Sequence, residues 1–195
     1  MYNAYQFEDG TQILRVLEKE TQHWDVNNVN EISISYDPAT TTRSEPTLRR
    51  KGETRDQALA DWYHLDIVNR NKFKHALGCL AYMTRIFDLE EKAEIPTPTN
   101  ELIWTGIGDI TANIMADGRR ELDAFFIYHD DSVIHFNQRP LTTGIQRYRL
   151  PDLPEGRFLV TDTVLATGFE SCSKTYLLVN DGTPEGVRFD PYNSK

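Results

Sequence analysis

The densest group of residues that could do chemistry is His129, Asp130, Asp131 and His135. Imidazole and carboxylate groups together can bind a divalent metal ion or relay protons. Adjacent residues of a strand point to opposite faces, however, so His129 and Asp130 would not converge by default. Two aspartates before a serine are also typical of a tight turn. The sequence therefore favours a turn between two strands, and no metal site is predicted.

A second candidate is the segment 158–168, an apolar strand that leads into aspartate, threonine and glycine. A loop of small residues after a strand can present backbone amides to a phosphate, and an acid there can hold a ribose hydroxyl. The alternative is a strand that enters a glycine turn, which any antiparallel sheet contains. We favour this structural alternative because only residues 169–174 separate the segment from the next strand pattern, which leaves no room for a phosphate-binding helix.

This segment resembles the ribose-phosphate loop of uracil phosphoribosyltransferases. Pieces of residues 84–98 and 177–187 are similar to flanking parts of that family in the same order, so the resemblance covers roughly residues 75–190 in short runs. It implies an enzyme or pseudoenzyme that binds phosphoribosyl pyrophosphate, with Asp162 on the ribose hydroxyls. The resemblance assigns the 5′-phosphate to four further residues, Thr163, Ala166, Thr167 and Gly168.

Other catalytic signatures are missing from the sequence. It contains no His-Glu-x-x-His, Cys-x-x-Cys, glycine-rich Walker loop or Gly-x-Ser-x-Gly. His64 and His75 are eleven residues apart, and on one straight helix they would lie about 16 Å apart, too far to share a metal. Cys79 and Cys172 are interpreted as free thiols. We therefore predict no catalytic residue and no cofactor.

The elements that must position these residues divide the chain into two halves. In the first half we expect a short helix over residues 11–20, a strand at Ile32–Tyr36 and a long loop over residues 37–53. Thr54 to Gln57 matches a capping box. Apolar residues then recur at helical spacing, namely Leu59, Trp62, Tyr63, Ile67, Phe73, Leu77, Leu80, Met83 and Phe87. This spacing predicts a helical segment over residues 54–98.

Strand patterns dominate residues 99–195. Only two to about ten residues separate neighbouring strand candidates, whereas a parallel pair needs a crossover of about a dozen residues or more. The predicted fold class is therefore α+β, with amphipathic helices of the first half packed on a mostly antiparallel sheet or small barrel. We expect residues 1–195 to form a single domain.

Composition narrows the function further. The chain has 195 residues and a formal net charge of -9, which argues against specific binding of nucleic acid. The basic cluster Arg49, Arg50 and Lys51 is interpreted as a solvated loop. No apolar run is long enough to span a membrane, and the N-terminus lacks the features of a signal peptide. We expect a soluble, cytoplasmic protein, or a virion protein if the source is viral.

Three hypotheses follow from these observations. The first is a non-catalytic structural or interaction protein whose partners are copies of itself, such as a small virion tail or neck component. The second is a divergent phosphoribosyltransferase-like enzyme or pseudoenzyme. The third is a barrel around a small-molecule pocket lined by aromatic residues, with Trp104, Phe125, Phe126, Tyr128 and Phe136 as candidates.

Overall fold

The computed structural model describes most of the chain after residue 30. The described residues are 31–51, 54–97, 100–106, 108–139, 141–143, 146–148 and 150–192. They form two antiparallel sheets and a small separate hairpin. In the described part no helix has the length and apolarity needed to cross a membrane. The helix predicted over residues 11–20 lies outside the described residues.

The first sheet has the long strand β3 at its centre. Its five strands are β1 (Ile32–Ser35), β2 (Thr42–Lys51), β3 (Thr54–Asn69), β8 (Arg119–Tyr128) and β9 (Ile134–His135). One edge of β3 pairs with β1 and then β2, which are separated by the one-turn helix α1 (Pro38–Thr41), and the other edge pairs with β8. Asp37 caps α1, because its carboxylate accepts a hydrogen bond from the amide of Ala39 at 3.0 Å.

The second sheet is built around β4 and β13. Its strands are β4 (Ala76–Asp88), β5 (Ala93–Ile95), β6 (Asn100–Leu102), β7 (Thr111–Ile114), β10 (Gln138–Arg139), β13 (Gly156–Thr167), β14 (Cys172–Asn180) and β15 (Arg188–Pro191). β5, β6 and β7 follow one another along one edge of β4, and β13 covers the other edge. The remaining elements are the hairpin of β11 (Leu141–Thr143) and β12 (Gln146–Tyr148) and a 3-10 turn at Pro184–Gly186.

The predicted α+β class is wrong, because the regular secondary structure of the described residues is almost entirely antiparallel strand. The helical segment predicted over residues 54–98 is instead β3, β4 and β5, and the loop predicted over residues 37–53 contains α1 and β2. The capping-box match at Thr54 to Gln57 lies in β3 and pairs with β2. The antiparallel pairing predicted for the second half is confirmed.

The two sheets share one hydrophobic core. Alternate residues of β3 are buried on its inner face, as are alternate residues of β13. Phe189 of the second sheet packs edge-on against Phe125 of the first, with ring centroids 5.0 Å apart, and against Tyr36 at 4.9 Å. Trp104, Phe125 and Phe136 therefore belong to this core.

The register places the connections of the two sheets at two opposite ends of the strands. At one end, the loop 70–75 contacts both the turn after β7 and the turn between β13 and β14, because Asp117 donates its amide to the carbonyl of Asn71 and Lys74 donates to that of Gly168. At the other end, Asn180 donates its side-chain amide to the carbonyl of Ser132 at 2.8 Å. β13 alone, with twelve residues, separates the two ends by roughly 36 Å.

Candidate functional site

The five residues predicted to hold ribose and phosphate lie on β13 and the turn after it. Asp162 is on the inner face and fully buried, while the hydroxyl of Thr163 bonds to Thr84 at 3.1 Å and to Ser173 at 2.8 Å. Ala166 packs against the core, and Thr167 and Gly168 are exposed. The structure thus divides these residues between two faces of the strand and does not gather them around one point. Their role in binding ribose and phosphate stays a prediction.

Asp162 is an uncompensated acid in the core. Neither carboxylate oxygen has a hydrogen-bond partner among the described residues, and the buried hydroxyl of Tyr176 also lacks one there. Burial raises the pKa of Asp162 to about 7. Burial also raises the pKa of Tyr176, and the nearby charge of Asp162 adds to this effect. Asp162 therefore titrates near neutral pH in a place that solvent does not reach.

The histidine and aspartate cluster at residues 129–135 forms the predicted turn between β8 and β9. Side chains of this cluster also contact residues on other elements of the fold. His129 contacts Asp61 at 2.8 Å, and Arg49 donates to Asp130 at 2.6 Å. The described residues contain no group of three or more His, Cys, Asp or Glu side chains placed to hold a metal ion.

His135 joins two acids that the sequence did not connect. Its Nε2 lies 3.2 Å from Asp131 and its Nδ1 lies 3.1 Å from Asp152. Partial burial lowers the pKa of His135, but the hydrogen bonds to the two carboxylates outweigh this effect, so the net pKa is raised. The two carboxylates thus stabilise the imidazolium form, and the contacts of His135 link the β8–β9 turn to the connection that contains Asp152.

A buried polar network on the outer face of the first sheet was missed by the sequence analysis. Asp123 accepts hydrogen bonds from Thr105, from Asn137 at 2.6 Å and from the Nδ1 of His64 at 3.0 Å. His64 is 2% exposed, and its Nε2 is buried without a partner in the described chain. An Asp–His pair of this kind can activate a nucleophile only if the second nitrogen reaches a reactant. In this protein the Asp123–His64 pair fixes the loop after β6 to the first sheet, because Thr105 of that loop donates to Asp123.

His75 does not join this network. Its Nδ1 accepts a hydrogen bond from the amide of Ala116, so the two histidines do not meet.

Acidic connections gather at one end of the strands, beside the basic hairpin of β2 and β3, whose Arg49 pairs with Asp130. Four connections meet there, and each of them carries a net charge of minus two: residues 88–92, 129–133, 151–155 and 181–187. We call these four connections the acidic end. It contains a cleft of about 450 Å³ lined by Glu90, Glu155, Gly156, Arg157, Val179, Asn180 and Asp181.

The opposite end combines positive charge with exposed apolar side chains. Its basic loop, residues 70–75, contains Arg70, Lys72 and Lys74, while Asp117 and Glu170 are acids of the neighbouring turns. Phe73, at the tip of this loop, is 93% exposed. Three other large apolar residues are exposed at this end, namely Leu77, Met115 and Leu165. No signal in the sequence joined these residues, because their proximity depends on which turns share an end.

Comparisons with protein-family models, with curated proteins and with solved structures found no match to this chain.

Proposed function

We propose that this protein is a non-catalytic structural protein that joins end to end with copies of itself. The observation that carries the proposal is the segregation of charge to opposite ends of the strands. The acidic end and the basic loop cannot meet within one copy, because the length of the sheet separates them. Between two copies aligned along the strands they face each other with opposite charge.

The exposed apolar residues support the same arrangement. Several large apolar side chains exposed at one end of a folded protein are a feature of interaction sites. Phe73, Leu77, Met115 and Leu165 lie at the end that carries the basic loop. A contact between two different ends is heterologous, so it builds a ring when the rotation closes and a filament when it does not. A virion tail or neck is one kind of assembly built from such repeated contacts.

Sedimentation velocity at low and high ionic strength tests the proposal. At about 50 mM salt we expect concentration-dependent association, and at about 1 M salt we expect the equilibrium to move toward the monomer, because charges are then screened within about 3 Å. A protein that remains monomeric at low salt and high concentration would overturn the proposal.

A further inference from the structure

The loop that carries Phe73 is held in one shape by its own hydrogen bonds. The side-chain oxygen of Asn71 accepts the amides of Phe73 at 2.8 Å and Lys74 at 2.7 Å, and its nitrogen donates to Glu31 at 2.5 Å. Asn69, which is fully buried, donates to the carbonyl of Lys74 at 2.7 Å. An aromatic side chain on a fixed loop loses little conformational entropy when it binds. Phe73 is therefore presented to solvent as a preformed anchor.

The cleft at the acidic end has the chemistry to receive this anchor. Val179 and Gly156 line it together with three acids, Glu90, Glu155 and Asp181, which we call its acidic rim. Arg157 also lines it, and a guanidinium group can stack on an aromatic ring. The rim acids carry the charge opposite to that of the two lysines, Lys72 and Lys74, on either side of Phe73. The combination of a guanidinium group and an acidic rim fits an aromatic residue between two basic ones.

We propose that the basic loop of one copy docks in this cleft of the next copy, with Phe73 inserted and Lys72 facing the acidic rim. This inference rests on the end-to-end assembly proposed above and adds the residues that form the contact. Both halves of the contact belong to one chain, so every copy offers one anchor and one cleft. Buried aromatic anchors inside a rim of charged residues dominate the affinity of many protein interfaces.

Phe73→Ser and Glu90→Lys test the two sides of this contact. Both positions are exposed, so neither substitution removes a buried contact of the monomer. We expect each variant to keep the circular dichroism spectrum of the wild type and to self-associate roughly 10- to 100-fold more weakly in sedimentation equilibrium. Leu48→Ser is the matched control, because Leu48 is 68% exposed on β2 and belongs neither to the basic loop nor to the lining of the cleft. It should associate as the wild type does.

The outcomes separate this inference from the proposed function. If the wild type associates and Phe73→Ser associates equally well, the loop-and-cleft contact is wrong while end-to-end assembly stands. If Leu48→Ser weakens association more than Phe73→Ser does, the contact lies on the β2–β3 hairpin, and the inference is again overturned. If the wild type does not associate, both proposals fail.

Discussion

Two buried carboxylates of this protein differ in whether they have hydrogen-bond partners. Asp123 is 7% exposed and accepts hydrogen bonds from three side chains, whereas Asp162 is fully buried and has no partner in the described chain. A buried ionised group is stabilised only when hydrogen bonds or opposite charges replace the water that it loses. Asp123 should therefore stabilise the fold, and Asp162 should destabilise it when it is ionised.

Asp162→Asn should make the protein less sensitive to pH. Because the folded pKa of Asp162 is raised to about 7, the folded state retains a proton that the unfolded state releases near pH 4. The free energy of unfolding of the wild type should accordingly fall as pH rises from about 4 to about 7. The asparagine variant should lose most of this slope and be more stable at pH 8 by about 1–3 kcal/mol. Urea denaturation at several pH values measures both.

Glu170→Gln is the control for this experiment, because Glu170 is an exposed carboxylate on the turn after β13. It should retain the pH slope of the wild type. An equal slope in wild type and Asp162→Asn would show that Asp162 is not the group responsible.

Asp123→Ala should destabilise the protein strongly. The substitution leaves Thr105, Asn137 and His64 without their shared acceptor, at a cost of about 2–4 kcal/mol. The control is Glu94→Ala, which removes a surface ion pair with Arg85 and should cost less than about 1 kcal/mol. Chemical denaturation compares the two, and similar losses would contradict a stabilising role for the buried network.

At the scale of elements, the sequence predicted the second half well and the first half poorly. Turn signals such as Asn180-Asp181-Gly182 mark the ends of β14 and its neighbours, and these depend only on local residues. In β3, by contrast, Leu59, Tyr63 and Ile67 are four residues apart. Positions four apart lie on one side of a helix and also on one side of a strand, so their spacing fits both structures. The segment forms a strand because it pairs with β2 and β8, and local periodicity contains no information about this pairing.

Pro46→Thr should expose an additional pairing edge. In the described chain β2 pairs only with β3, so its outer edge is open, and Pro46 interrupts it opposite Leu59. Proline has no amide hydrogen and is found on edge strands, where it discourages pairing with other chains. Threonine restores that donor, so light scattering should detect faster aggregation. The measurement is made in the Phe73→Ser background, in which the proposed end-to-end association should be weakened. Pro96→Thr changes an exposed proline outside the strands and should aggregate no faster than that background, and equal rates for both proline variants would contradict this role of Pro46.

At the scale of the whole molecule, the distribution of charge could not be predicted from the sequence. The four acidic connections are spread from residue 88 to residue 187, and each alone looks like an ordinary polar turn. Antiparallel register brings them to one end and sends the loop 70–75 to the other. The net charge of -9 therefore indicates an acidic protein, but only the topology shows that four acidic connections lie together at one end.

A mixture of two blocked variants should distinguish a heterologous contact from a symmetric one. Phe73→Ser keeps an intact cleft, and Glu90→Lys keeps an intact basic loop, so each variant alone should associate only weakly with copies of itself. Mixed together, they should form one-to-one heterodimers and stop there, because each dimer has one good contact and two blocked ends. Sedimentation velocity of the separate and mixed variants measures this. A symmetric interface would place the same patch on both partners, and mixing would then restore nothing, which would exclude end-to-end assembly through these surfaces.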